Sequence, residues 1–197
     1  MIKLQHLIAA TCGATLCCTG LLYASSAAKP APKPAASAPA AMPPMPKPGP
    51  QHEWLHKLDG TWLAVVQDHM MPDAKPEAGT MTCKGMGGFW ELCDTASEMM
   101  GTPFFGHEIK GYDTKKKKHT SIWVDSMGDY WMSMEGTATA DGMTTTMWSR
   151  THDMDGKMMT MKTVTTWTDN DHITFKMWTV NGKKETLLLE ITYTRKK

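Results

Sequence analysis

The sequence predicts an all-β fold: about ten antiparallel strands wound up and down into a closed barrel behind one short N-terminal helix. Three observations carry this. Beyond Leu58 the chain repeats one unit, a short run rich in Thr, Val, Trp and Met followed by a turn. Several turns contain Asp-Gly or Asn-Gly pairs, at Asp141-Gly142, Asp155-Gly156 and Asn181-Gly182, which tolerate the positive φ of two-residue hairpins. Period-two alternation is clear near the C-terminus, where Ile173, Phe175 and Met177 interleave with Thr174 and Lys176, and Leu187, Leu189, Ile191 and Tyr193 with Glu190 and Thr192. Because almost every connection is short, successive strands pair as neighbours, and closure removes the exposed sheet edges.

Taken in order, Lys3, the small and apolar run Leu7–Tyr23 and the small residues Ala24–Ala28 read as a signal peptide over residues 1–28. A periplasmic or secreted location is therefore expected. Cys12, Cys17 and Cys18 would leave with that segment, and they lack a lipoprotein context. Residues 29–50, built from Ala, Pro, Lys and Met, read as a polyproline-like linker. The barrel domain is expected over 51–197, opening with a helical stretch at 51–58. Strands follow near 61–69, 77–86, 89–99, 104–112, 119–126, 130–140, 144–153, 157–167, 172–180 and 183–195.

Composition excludes several classes. The formal charge of +1 leaves no broad basic surface for nucleic acid. No apolar run beyond the N-terminus is long enough to span a membrane, so no integral span is expected after signal removal. The outlier is methionine, 19 of 197 residues, accompanied by eight Trp. Alternation places Met132 with Met134, and Met159 with Met161, on single strand faces. The expected lumen lining is Trp123, Asp125, Tyr130, Met132, Met134, Met147, Met159, Met161, Phe175 and Met177. A ten-stranded barrel is wider than side chains alone readily fill, and unbranched thioethers repack around varied guests. The expected partner is thus a small apolar or amphipathic molecule, with no cofactor and no metal assigned. The alternatives are a filled structural or interaction barrel of the cell envelope, and a Met-rich Cu(I) protein.

Several residues match a known pattern. Gly60-Thr61-Trp62, between the helix and the first strand, resembles the Gly-x-Trp signature of lipocalins. More extensively, His52-Glu53-Trp54-Leu55, Leu58–Trp62, Phe105-Gly106, Gly111-Tyr112-Asp113, Trp123–Met127 and Glu190–Arg195 resemble the bacterial family catalogued as domain of unknown function 1579. The resemblance implies a lipocalin-like barrel and no established chemistry. It also implies that Gly60, Trp62 and Arg195 close one end, Arg195 covering the Trp62 ring by cation–π contact.

Other constellations each allow a specific reading. His52-Glu53-Trp54-Leu55-His56 matches the zinc-protease pattern His-Glu-x-x-His, but no third ligand follows. Met159, Met161, Met154 and His152 would offer soft ligands to Cu(I). Cys83 and Cys93 face one another if residues 87–89 form a three-residue loop, as a disulfide or as two buried thiols. Asp125 pointing inward would need a partner, for which Arg150 is the candidate. An enzyme would require His107, Glu108 and Asp125 to converge, but no catalytic residue is assigned. Lys115–Lys118 reads as a solvated hairpin. Trp131, Trp148 and Trp178 have the parity of an outer aromatic strip.

Overall fold

A computed structural model describes residues 44–197 apart from 72, 100 and 153–155. The expected signal peptide and residues 29–43 of the expected linker lie outside the described residues. Helix α1 (Pro50–Leu55) begins on a proline, whose fixed φ suits a first turn, and passes into a 3-10 turn at His56–Leu58. The strands are β1 (Gly60–Asp68), β2 (Glu77–Met86), β3 (Trp90–Met99), β4 (Thr102–Asp113), β5 (Lys118–Asp125), β6 (Met132–Ala138), β7 (Thr144–His152), β8 (Met158–Trp167), β9 (His172–Asn181) and β10 (Lys184–Arg195). Each pairs antiparallel with its sequence neighbours, and β1 pairs with β10 to close a ten-stranded barrel. No helix among the described residues is long and apolar enough to cross a membrane.

Turn chemistry sets the registers. Gly87 and Gly88 adopt φ of 61° and 77° in the loop between Met86 and Trp90. That three-residue loop brings Cys83 opposite Cys93, and the two are joined by a disulfide. Gly182, at φ 60°, lies in the two-residue turn between Asn181 and Lys184. Near the start of β10 the pairing slips between Leu187 and Leu189. The bulge reverses the side-chain alternation locally, so Leu187, expected with Leu189 and Ile191, pairs instead with outward Trp178.

The apolar core sits at the helix end. Leu58, Trp62, Ala64, Met81, the disulfide, Ile173, Ile191 and Tyr193 are buried together, with Val66, Trp167, Phe175 and Leu189 packed against them. Helix α1 and the 3-10 turn plug this end. Trp62 is 0% exposed and its indole N–H donates to the Leu58 carbonyl at 2.9 Å. Arg195 covers the ring, with Cζ 4.1 Å from its centre, and Trp167 meets it edge-on at 5.7 Å. The same guanidinium donates to the Asp59 and Lys57 carbonyls at 2.8 Å each and pairs with Asp171 at 3.2 Å. It therefore also satisfies carbonyls left orphaned where the helical turn ends.

Candidate functional site

Register fixes which side chains enter the lumen. From the buried pair Cys83–Cys93, alternate positions along the cross-strand ladders carry the inner face to Glu108, Trp123 and Met132, and to Lys110, Ser121 and Met134. Beyond the β6–β7 contact it continues through Met147, Ser149, Met159, Met161, Phe175 and Met177. Met134, Met147 and Met161 are buried, while Met132, Met159, Phe175 and Met177 are half-buried. Tyr130 departs from the expected lining. Strand β6 begins at Met132 rather than near residue 130, so Tyr130 sits in the preceding turn and is 62% exposed.

The interior is more polar than its thioethers suggest. Glu108 and Lys110, two apart on β4, form an inward ion pair at 2.6 Å. The Trp123 ring lies flat against Gly106, where a Cβ would meet it at 2.2 Å, and stacks on Phe104 at 6.3 Å. Its indole N–H donates to Asp125 Oδ2 at 2.8 Å, and the Met127 N–H donates to Asp125 Oδ1 at 2.9 Å. Asp125 thus finds its partners locally. Arg150, the expected one, is on the outer face of β7 and exposed. Burial, then Lys110 and His52, push the buried His119 imidazole down. Burial and the Glu108 charge push the Tyr193 phenol up.

Between β6 and β7 the wall thins. Pairing runs only from Glu135–Trp148 to Ala138–Thr145. Toward the open end Met132 stays paired with β5, and residues 149–152 stay paired with β8. Over this divergence lies a groove of about 760 Å³, lined on the outer face by Trp90, Ile109, Ile122, Glu135, Trp148 and Arg150 and on the inner face by Ser121, Met134 and Ser149. The hydroxyls of Ser121 and Ser149 are buried without a hydrogen-bond partner among the described residues. Lys116 and Lys118 hold Glu135 at the rim and keep its carboxyl below the usual range. A smaller cavity of about 270 Å³ adjoins at Tyr130, Trp131, Arg150, Thr151 and His152.

The remaining constellations do not gather into one site among the described residues. His107 pairs with Asp94 at 2.7 Å on the outer wall, facing away from Glu108 and Asp125, so the three do not converge. His52 Nδ1 accepts from the Gly49 N–H at 3.0 Å, His56 turns to Glu91, and Glu53 is exposed, so the His-Glu-x-x-His residues form no shared zinc centre. His152 has the parity opposite to Met159 and Met161, and Met154 lies outside the described residues. Trp131 and Trp148 are exposed and Trp178 is half-buried, with the Lys162 ammonium 5.9 Å from the Trp148 ring and 5.2 Å from Trp178. Sequence reasoning missed the groove residues Trp90, Ile109, Ile122 and Glu135. Their signal is two cross-barrel rows, Trp90–Gly111–Thr120–Glu135–Trp148 and Ile109–Ile122–Ser133, legible only once registers are known.

The family model described as protein of unknown function (DUF1579) matches residues 47–195. The chain belongs to the DUF1579 family. No curated protein matches it. The solved structure of Rv2717c from M. tuberculosis is similar to this DUF1579 chain at 12% identity and a TM-score of 0.58, covering 77% of this chain and 100% of that one. This likeness is one of fold. Two redesigned β-barrels align less closely, both at a TM-score of 0.39. The first has 14% identity and covers 73% of this chain and 95% of its own. The second, mFAP1 bound to DFHBI, has 13% identity and covers 72% and 97%.

Proposed function

We propose that this DUF1579 barrel is an exported binding protein that takes a small amphipathic molecule at the divergence between β6 and β7. The observation that carries the reading is the groove itself. Its volume of about 760 Å³ lies within the range of about 300–1,000 Å³ usual for small-molecule sites. It joins an aromatic outer face to Met134 and to two unpartnered inner hydroxyls, Ser121 and Ser149. A buried hydroxyl without a partner is costly, and a guest with one polar end would satisfy it while its apolar part lay against thioether and indole. Entry is then lateral rather than through the open mouth. Export rests on residues 1–28, a basic start, an apolar run and small residues.

The test is native mass spectrometry of the purified chain, followed by titration with the amphipathic fluorophore 1-anilinonaphthalene-8-sulfonate. One saturable site is expected, weakened about five- to tenfold by Met134→Ala or Trp148→Ala, with little change in melting for the variant at exposed Trp148 and a fall for the one at buried Met134. Binding unaffected by both substitutions would reject the site. A second reading, a barrel that docks a protein partner, draws on the exposed Trp131, Tyr130 and Phe105 at 71%, 62% and 59%. In that case Trp131→Ala, and not Met134→Ala, abolishes partner capture.

A further inference from the structure

At the plugged end, on the inner side of the wall behind Trp90, a second group of chemistry-bearing side chains converges. His56 in the 3-10 turn, Asp59 just beyond it and Glu91 near the start of β3 each present one ligand atom, all within 4.8 Å of one another. Glu91 is 0% exposed, and its Oε2 lies 3.0 Å from His56 Nδ1. Its other oxygen and His56 Nε2 are buried with no hydrogen-bond partner among the described residues. Burial, then the Asp59 charge, push the Glu91 carboxyl up to about 7. Two carboxylates and an imidazole are thus gathered at one point, Glu91 fully buried and Asp59 at the exposed rim, where a cation would relieve the like-charge pair.

The scaffold also holds the ligands from behind. The His56 ring is seated on Gly85, where a Cβ would lie 2.4 Å from Nδ1, and the Gly85 N–H donates to Asp59 Oδ1 at 2.6 Å. Bare backbone at residue 85 therefore positions both groups, as supporting contacts do around metal ligands.

We propose that His56, Asp59 and Glu91 bind one divalent transition-metal ion that ties the helical plug to β3. One nitrogen and two oxygens suit a borderline ion such as Zn²⁺, whereas Cu(I) selects sulfur. Metal–ligand distances of about 2.0–2.2 Å leave neighbouring donors about 3–3.5 Å apart, a spacing His56 and Glu91 already have. Asp59, exposed at the rim, completes the set by side-chain rotation, and water takes the remaining position.

The test uses the full-length chain with its disulfide intact, stripped with EDTA and titrated with Zn²⁺ by isothermal calorimetry at pH 7.5, with stoichiometry counted by native mass spectrometry. One Zn²⁺ per chain is expected. Glu91→Gln and Asp59→Asn should each weaken it by about 100-fold, the upper end of what even a supporting contact is worth. Asp59→Asn keeps the oxygen that accepts from Gly85 and lies at the exposed rim, so it tests the site even if Glu91→Gln folds poorly. Absence of saturable binding by the wild type overturns the proposal, as does unchanged affinity in Asp59→Asn. Binding that appears only after reduction would place the ion on the Cys83 and Cys93 thiolates and overturn it equally.

Discussion

Replacing Trp62 by Ala should lower the melting midpoint more than any single change in the groove. The ring is fully enclosed between Leu58, Trp167 and Arg195. A buried aromatic removes about 150–250 Å² from water, or about 4–6 kcal/mol at about 25 cal/mol per Å². Partial collapse of the plug lowers this to the range of about 3–5 kcal/mol found for deleted core aromatics. Loss of the stacked guanidinium costs about 1 kcal/mol, and the Leu58 carbonyl loses its donor. The two-helix-turn plug can settle inward, so a total of about 4 kcal/mol is expected. For a domain of this size, that corresponds to a fall of about 8–16 °C at about 2–4 °C per kcal/mol. Circular dichroism melts of oxidised protein measure it. Trp62→Phe, which keeps a ring beneath Arg195 but no N–H donor, should fall by about half as much. A drop below about 4 °C for the Ala variant would refute the idea that this residue closes the barrel.

Three further outcomes follow from the same structure. Removing the disulfide with Cys83→Ala and Cys93→Ala should cost about 2–3 kcal/mol, the chain-entropy value for a loop of about ten residues, measured by urea unfolding. Burial holds the His119 imidazole below its ordinary value beside Lys110, His52 and Tyr112. Because the unfolded chain then binds more protons, stability is full above the unfolded value of about 6.5 and is lost as pH falls through it toward the lower folded value. His119→Gln should flatten the dependence of the melting midpoint on pH between about 7 and 5, and an unchanged slope would exclude this residue as its source. Finally, Arg195→Lys keeps the charge but not the fork that reaches both Lys57 and Asp59. It should lower the midpoint by several degrees and increase proteolysis near α1.

Much of the barrel was legible because its signals are local. Asp-Gly and Asn-Gly turns delimit strands, and alternation in Ile173–Met177 assigns faces without reference to any other strand. The three-residue loop at 87–89 was enough to set Cys83 opposite Cys93. What escaped depends on longer-range geometry. The segment Phe104–Tyr112 is ambiguous by alternation, since Phe104, Gly106, Glu108, Lys110 and Tyr112 compete with Phe105, His107, Ile109 and Gly111. Only pairing with β3 and β5 shows that the charged set points inward. The bulge at Leu188 has no turn residue to announce it, because Leu-Leu-Leu satisfies either parity. Tyr130 was misplaced because strand ends are decided by where pairing stops, and Met132 is the first β6 residue to pair with β5. His56 and Glu91 meet across 35 residues of separation, which no local spacing encodes.

The apolar core and the proposed binding groove therefore lie in different parts of one sheet. At the plugged end, Trp62, Met81, Ile173, Tyr193 and the disulfide fill the interior, and Arg195 ties three segments together. Around the far wall the inner face turns to Ser121, Ser149 and Thr163, and the β6–β7 ladder shortens. A closed barrel can tolerate a short ladder because the neighbouring strands keep their other partners: β6 holds to β5 and β7 to β8. The opening thus costs a few hydrogen bonds without exposing a free-standing edge. Methionine suits the inner face there, since Met134 and Met161 can change rotamer without breaking a hydrogen-bonded network. Thr163 Oγ1, donating to Met134 Sδ at 3.9 Å, is a weak enough contact to be exchanged for the guest proposed above. The closed end can accordingly stay rigid while the wall beside it adapts.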